Sequence, residues 1–217
     1  MSDPARQEIL SRIHAALTEK ARDIVGSHAS IPRVYQRFGR LDAQARIELF
    51  IDRLRDYNSE IIQVETEGEL PAAISLVLQD AGERRVIADP EFSSAWLPVG
   101  TSLLLDNGLS TAEIDTAQIV LTTCETAIAS TGTIILIHGG AQGRRAITLL
   151  PDHHICLVRR DQIVELVPEA FQVIASQSAR PMTTISGPSA TSDIEMTRIR
   201  GVHGPRYLTI ILYGQIS

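Results

Sequence analysis

Residues 185–206, ISGPSATSDIEMTRIRGVHGPR, concentrate hydroxyls, carboxylates, a histidine and arginines within one short span. An apolar, strand-like run follows directly, and a dense polar loop against a core strand is costly unless it binds something or is bent for a purpose. Gly187-Pro188 marks a turn at the end of a strand predicted over 183–186. Ser192-Asp193-Ile194-Glu195 fits the S-x-x-E capping box, so a helix is expected to start there. Its free N–H groups, with Ser189, Thr191 and Ser192, form an anion-binding candidate; a well-capped helix with no ligand fits the same residues. Asp193 and Glu195 lie two apart and do not face each other on a helix, so they are not a paired acid and base. Further on, Gly201 and Gly204 bracket His203, and Pro205 stiffens the exit towards Arg206. An imidazole there titrates near neutral pH and is a candidate base or anion ligand; a histidine tied to backbone in a tight turn is the plainer alternative.

Two further stretches carry chemistry. Residues 122–133, TTCETAIASTGT, join two apolar strands through small and hydroxyl residues. Thr131 and Gly132 would let a ligand approach the backbone closely, or would serve a tight crossing of strands. In GGAQGRR, Gly143, Arg144 and Arg145 could cradle a carboxylate or phosphate, because guanidinium forks match both; a solvated hairpin tip is the alternative. His153 and His154 are adjacent, so on a strand they point to opposite faces and cannot share a metal. Cys124 and Cys156, the only cysteines, form no CxxC pair and are expected to be buried and reduced.

The elements that must position these residues alternate between strand and helix. Ser2-Asp3-Pro4 is a helix start, and Ile9, Leu10, Ile13, Ala16 and Leu17 recur at helical spacing, predicting an amphipathic helix to about Lys20. Residues 26–39 look like a linker, giving an N-terminal arm over 1–40 and an α/β domain over 41–217. Ile47, Phe50, Ile51 and Leu54 mark one face of a helix. Strands are predicted at 61–64, 85–88, 119–121, 134–137 and 208–212, with helices at 70–78, around Ile114 and over 161–175. In the middle, 133–138, 146–150 and 155–158 follow one another without room for a helix and are expected to be hairpin-connected strands. The expectation is an α/β fold with a mixed, mainly parallel sheet flanked by helices.

Bulk properties exclude several functions. The 217 residues carry a formal net charge of −6, which lacks the basic footprint of a nucleic-acid binder. At 4% aromatic the chain has few residues on which bases could stack. No run approaches the roughly 18 apolar residues of a membrane span. The charged N-terminus has no continuous apolar leader, so the expected compartment is the cytoplasm.

Taken together, AIASTGTIIL, QGRRAITLLPDHHICLV and ISGPSATSDIEMTRIRGVHGPR, in this order, resemble the LUD-domain family, and the RQEIL of the first helix and the AWLP of residues 95–98 are similar to that group too. The resemblance covers essentially the whole chain. It implies a fold similar to the NagB/RpiA/CoA-transferase type and a role in oxidising L-lactate to pyruvate alongside two iron–sulfur partner proteins. No cofactor would then be bound by this chain, in keeping with its two cysteines. The family's usual A-I-A-E-T-G-T has a glutamate where this chain has Ser130, which removes a carboxylate from the expected cleft. The site candidates carried forward are Thr131, Gly132, Gly143, Arg144, Arg145, Gly187, Ser189, Thr191, Ser192, Asp193, Glu195 and Arg206 for a small carboxylate or phosphate, with His203 as the base. Two other readings stay open: a stand-alone binder or enzyme for a phosphorylated or CoA-like small molecule, and a non-catalytic interaction subunit docking through residues 4–20.

Overall fold

In the computed structural model the described residues are 4–29, 31–32, 34–177, 179–191, 199–200 and 204–215. The chain divides into two compact units, Met1–Gln36 and Arg37–Ser217.

The first unit is built on helix α1 (Pro4–Ala29). Proline stands at its first position, where a missing N–H costs nothing. The helix runs well past the predicted end at Lys20 and through Gly26, because a lone glycine costs only about 1 kcal/mol and no proline intervenes before Pro32. Ile9, Leu10, Ile13 and Leu17 are exposed within this unit.

The second unit opens with α2 (Ala43–Asp56), capped by the Asp42 carboxylate, which accepts from the Ala45 N–H at 2.8 Å. Its buried face is Ile47, Phe50, Ile51 and Leu54, as the spacing predicts. There follow β1 (Glu60–Gln63), α3 (Leu70–Asp80), β2 (Arg85–Ala88), β3 (Ser102–Leu105), α4 (Thr111–Ile114), β4 (Ile119–Thr123), β5 (Thr126–Ile128) and β6 (Thr133–Ile137). The remaining elements are β7 (His153–Arg159), β8 (Ile163–Val164), α5 (Val167–Val173), β9 (Met182–Ile185), β10 (Ala190–Thr191), β11 (Ile199–Arg200) and β12 (Tyr207–Tyr213).

Six strands form a sheet in the order β1-β12-β7-β4-β2-β3, with every pairing parallel. Strand alternation divides its core. Cys156, Val158, Ile210 and Leu212 pack with the apolar face of α2, whereas Ile155, Leu157 and Ile211 pack with Leu70, Ile74 and Val77 of α3. Burial on both faces is why β4, β7 and β12 read as continuous apolar runs. A second sheet, β8-β5-β6-β9, is mixed, and β10 and β11 form a small antiparallel ribbon. The expected mixed, mainly parallel arrangement with flanking helices is therefore present, its antiparallel part lying outside the main sheet.

Three local expectations are corrected. Thr133–Ile137 and His153–Arg159 are not joined as a hairpin; they belong to different sheets. Residues 145–149 form turns rather than a strand, with Ile147, Leu149 and Leu150 N–H groups donating back to the Arg144 and Ala146 carbonyls. The helix expected over 161–175 is confined to Val167–Val173, because Pro168 belongs in a first turn and the residues before it form a short 3-10 turn and β8. Among the described residues no helix is long and apolar enough to cross a membrane.

Candidate functional site

The polar segment after β9 is held by two contacts. Gly187 turns at φ +83°, and a Cβ there would lie 2.5 Å from Tyr57 Cβ, so glycine alone lets the turn lie against the residue that caps the carboxyl end of α2. The Ser189 N–H donates to the Pro205 carbonyl at 2.9 Å, joining the GPS turn to the GPR turn that precedes β12. Across from them lies the turn 145–149. Between the two is a cleft of about 280 Å³, lined by Arg145, Thr148 and Leu149 on one wall and residues 184–189, Gly204 and Pro205 on the other, with His154 and Leu208 beneath. The last two come from the amino ends of β7 and β12, in the middle of the main sheet.

The polar groups of this cleft differ in kind. Arg145 is exposed, and its guanidinium makes no ion pair with any described residue. His154 is 1% exposed, with Nε2 2.7 Å from Thr122 Oγ1 on β4. Burial, reinforced by repulsion from His153, pushes the His154 imidazole down to about 3, so the ring is neutral at physiological pH. Ser186 Oγ lies 2.7 Å from Thr133 Oγ1, which lies 2.7 Å from Thr131 Oγ1. This chain of hydroxyls runs from the cleft wall to the turn 129–131.

The structure distributes the predicted site residues unevenly. Arg145, Gly187 and Ser189 line the cleft, and Thr131 reaches it through Thr133 and Ser186. Gly132, at φ +59°, is approached by α2: a Cβ would lie 2.8 Å from Arg53 Cβ. Gly143 is packed against Ile147 in the same way. The arginine pair is divided. Arg144 donates from Nε and Nη2 to the buried carboxylate of Asp106 at 2.6 and 2.9 Å. Burial would raise the Asp106 pKa, but the Arg144 hydrogen bonds and the Leu109 and Gly108 N–H groups outweigh it and hold the carboxyl low. Arg206 pairs with Asp152 and lines a different cavity, of about 440 Å³, together with His153. Thr191 ends β10 and pairs with Ile199. Ser192, Asp193, Glu195 and His203 lie outside the described residues.

His153 and His154 point to opposite faces of β7, as strand alternation requires: His153 Nε2 contacts Thr209 Oγ1 at 2.8 Å, and His154 faces Thr122. Both cysteines are buried and free. Ser130 sits in the half-buried turn beside α2, its N–H donating to the Glu165 carbonyl at 3.0 Å. The sequence reading passed over His154, Ser186 and Thr122 as members of the cleft. Alternation placed His154 on one face of a strand, but only the pairing of β4 with β7 shows which side chain it meets. It also passed over Glu125, whose carboxylate accepts from Gln142 at 2.9 Å and Gln177 at 2.6 Å at the carboxyl end of β4.

The sequence profile of the LUD domain matches residues 106–213, which holds the cleft and its supporting strands. Lactate utilization protein C of Deinococcus radiodurans is 46% identical over 201 residues, covering 91% of this chain and 93% of that protein. The Bacillus subtilis protein of the same name is 29% identical over 175 residues, covering 71% and 72%. Among solved structures, the crystal structure of a DUF162 family protein from Deinococcus radiodurans superposes with a TM-score of 0.70 at 44% identity, covering 81% of this chain and all of that one. The chain belongs to the LUD-domain family.

Proposed function

We propose that this chain is a cytoplasmic subunit of a system that oxidises L-lactate to pyruvate, working with two iron–sulfur partner proteins, and that the cleft between the 145–149 turn and the 184–189 segment binds the small carboxylate. The observation that carries this reading is the cleft itself. It draws together pieces of three separated motifs, QGRR, PDHH and ISGPS…GPR, around a neutral histidine and an arginine that has no ion-pair partner among the described residues. The names of the relatives supply the metabolite. Removing two electrons from a 2-hydroxy acid needs an acceptor. The donor set of this chain does not fit an iron–sulfur cluster: its two cysteines are core residues, and no cluster of three metal-ligating side chains occurs among the described residues. The electrons then leave through partners, and the exposed Ile9, Leu10, Ile13 and Leu17 of α1 support a surface for them. A fold kinship with the NagB/RpiA/CoA-transferase type belongs to the same proposal.

Affinity capture of the full chain from its own cells grown on L-lactate, followed by mass spectrometry and visible absorbance, tests the assignment. Co-purification of brown, cysteine-rich proteins that reduce a dye only on addition of L-lactate is the expected result. A colourless chain that is captured alone overturns the subunit role.

A further inference from the structure

The floor of the cleft carries a residue whose protonation geometry can be worked out. Thr122 is 0% exposed, and its hydroxyl contacts His154 Nε2 and no other acceptor among the described residues. A hydroxyl has one proton. If Nε2 carried the hydrogen, Thr122 would accept it and leave its own proton without a partner in the core, where an unmade hydrogen bond is expensive. The arrangement that satisfies both groups has Thr122 Oγ1 donating to a bare Nε2. The neutral ring then carries its hydrogen on Nδ1.

That Nδ1 has no hydrogen-bond partner among the described residues, yet it is not sealed in. The buried side-chain polar atoms without a partner among the described residues are Arg46 Nε and Ser59 Oγ, and His154 lines the cleft. Nδ1 therefore opens into the cleft as a fixed, uncharged donor. Arg145, on the wall of the same cleft, is a charged donor whose fork matches a carboxylate. A cleft offering a guanidinium and a neutral N–H suits a carboxylate with a second acceptor close by.

We propose that His154 is the specificity-determining residue of this cleft, its Nδ1–H donating to the C2 oxygen of a 2-oxo- or 2-hydroxycarboxylate whose carboxylate Arg145 holds. This rests on the cleft being the ligand site. It gives His154 a role distinct from a base: a ring with its pKa near 3 does not take up a proton at neutral pH, whereas its N–H remains available to an oxygen acceptor. A donor accepts the ketone and the alcohol alike, so the site takes both members of the redox pair and discriminates against a carboxylate lacking the C2 oxygen.

Calorimetric titration of the full-length chain with pyruvate, L-lactate and propanoate tests this. Pyruvate and L-lactate are expected to bind roughly tenfold more tightly than propanoate, the value of one hydrogen bond. His154→Phe should abolish that preference, read as the ratio of pyruvate or L-lactate affinity to propanoate affinity, and His154→Asn, whose amide N–H falls near Nδ1, should restore part of it. Nitrogen-15 NMR of the native protein reads the tautomer independently of the variants' folding. An Nε2–H ring, or an undiminished preference in a folded His154→Phe protein, overturns the role of His154. Arg145→Met separates this from the underlying reading: it should weaken all three ligands equally. If the native chain binds none of them, or Arg145→Met changes nothing, the cleft is not the ligand site and both proposals fall.

Discussion

At the scale of single residues, the His154–Thr122 contact couples the cleft to stability. The folded ring stays neutral down to about pH 3, whereas an unfolded histidine takes a proton near pH 6.5. Folding is thus favoured fully above pH 6.5 and progressively less as pH falls through that value towards 3. Lowering pH from 7.5 to 5 should cost about 2 kcal/mol through this group alone. Urea unfolding at the two pH values checks it: a His154→Gln variant should lose that much less than the native chain, and equal losses would remove His154 as the cause. The two arginines of QGRR show how far residue type carries. The sequence marks both as anion partners, and both are chemically fit for it. One is consumed by Asp106, 38 residues earlier in the chain, and only the other faces the cleft. No local pattern separates them, because the carboxylate that claims Arg144 arrives at the end of β3, a short strand whose Ser-Leu-Leu-Leu run carries no β-branched residue to announce it.

At the scale of elements, the helix faces were legible and the turns were not. The apolar spacing of α2 names its buried side chains without error, because an i, i+3, i+4, i+7 stripe has only one way to face a core. What α2 packs against is another matter. It seats the 129–132 turn at Gly132, and its C-cap residue Tyr57 seats the 186–189 turn at Gly187, so one helix with its cap positions both the hydroxyl chain and the wall of the cleft. Gly132 looks in sequence like an opening for a ligand; in the fold its missing side chain makes room for the helix. Gly132→Ala combines a left-handed backbone with an overlap against the α2 backbone, and is expected to destabilise by about 2–4 kcal/mol. Gly82→Ala is the control: its φ is also positive, at +65°, but a Cβ meets nothing within 4 Å, so only about 1–2 kcal/mol should be lost. Equal denaturation midpoints for the two variants would show that α2 gives way and that the contact at Gly132 is soft.

For the whole molecule, the division at residue 36 sets the expectation. Residues 37–217 contain every buried cluster of the described residues and the cleft, so a chain beginning at Arg37 should unfold cooperatively in urea. If α1 is the partner-binding element, the same chain should keep the proposed pyruvate binding and lose capture of the proposed iron–sulfur partners. Capture at the full level would move the docking surface to the second unit.

The sequence by itself determined the α/β class, the parallel character of the central strands, the opposed histidines of β7 and the motifs from which the cleft is made. All of these follow from periodicity and residue type, which act over a few residues of chain. The tertiary structure alone decided that β6 and β7 part into separate sheets, that Thr122 meets His154, that the GPS turn is tied to Pro205, and that Arg145 lines the cleft while Arg144 is taken up by Asp106. Each of those depends on contacts between segments distant in the chain. Strand register and helix packing fix such contacts through the burial of the whole core, and no local spacing encodes them.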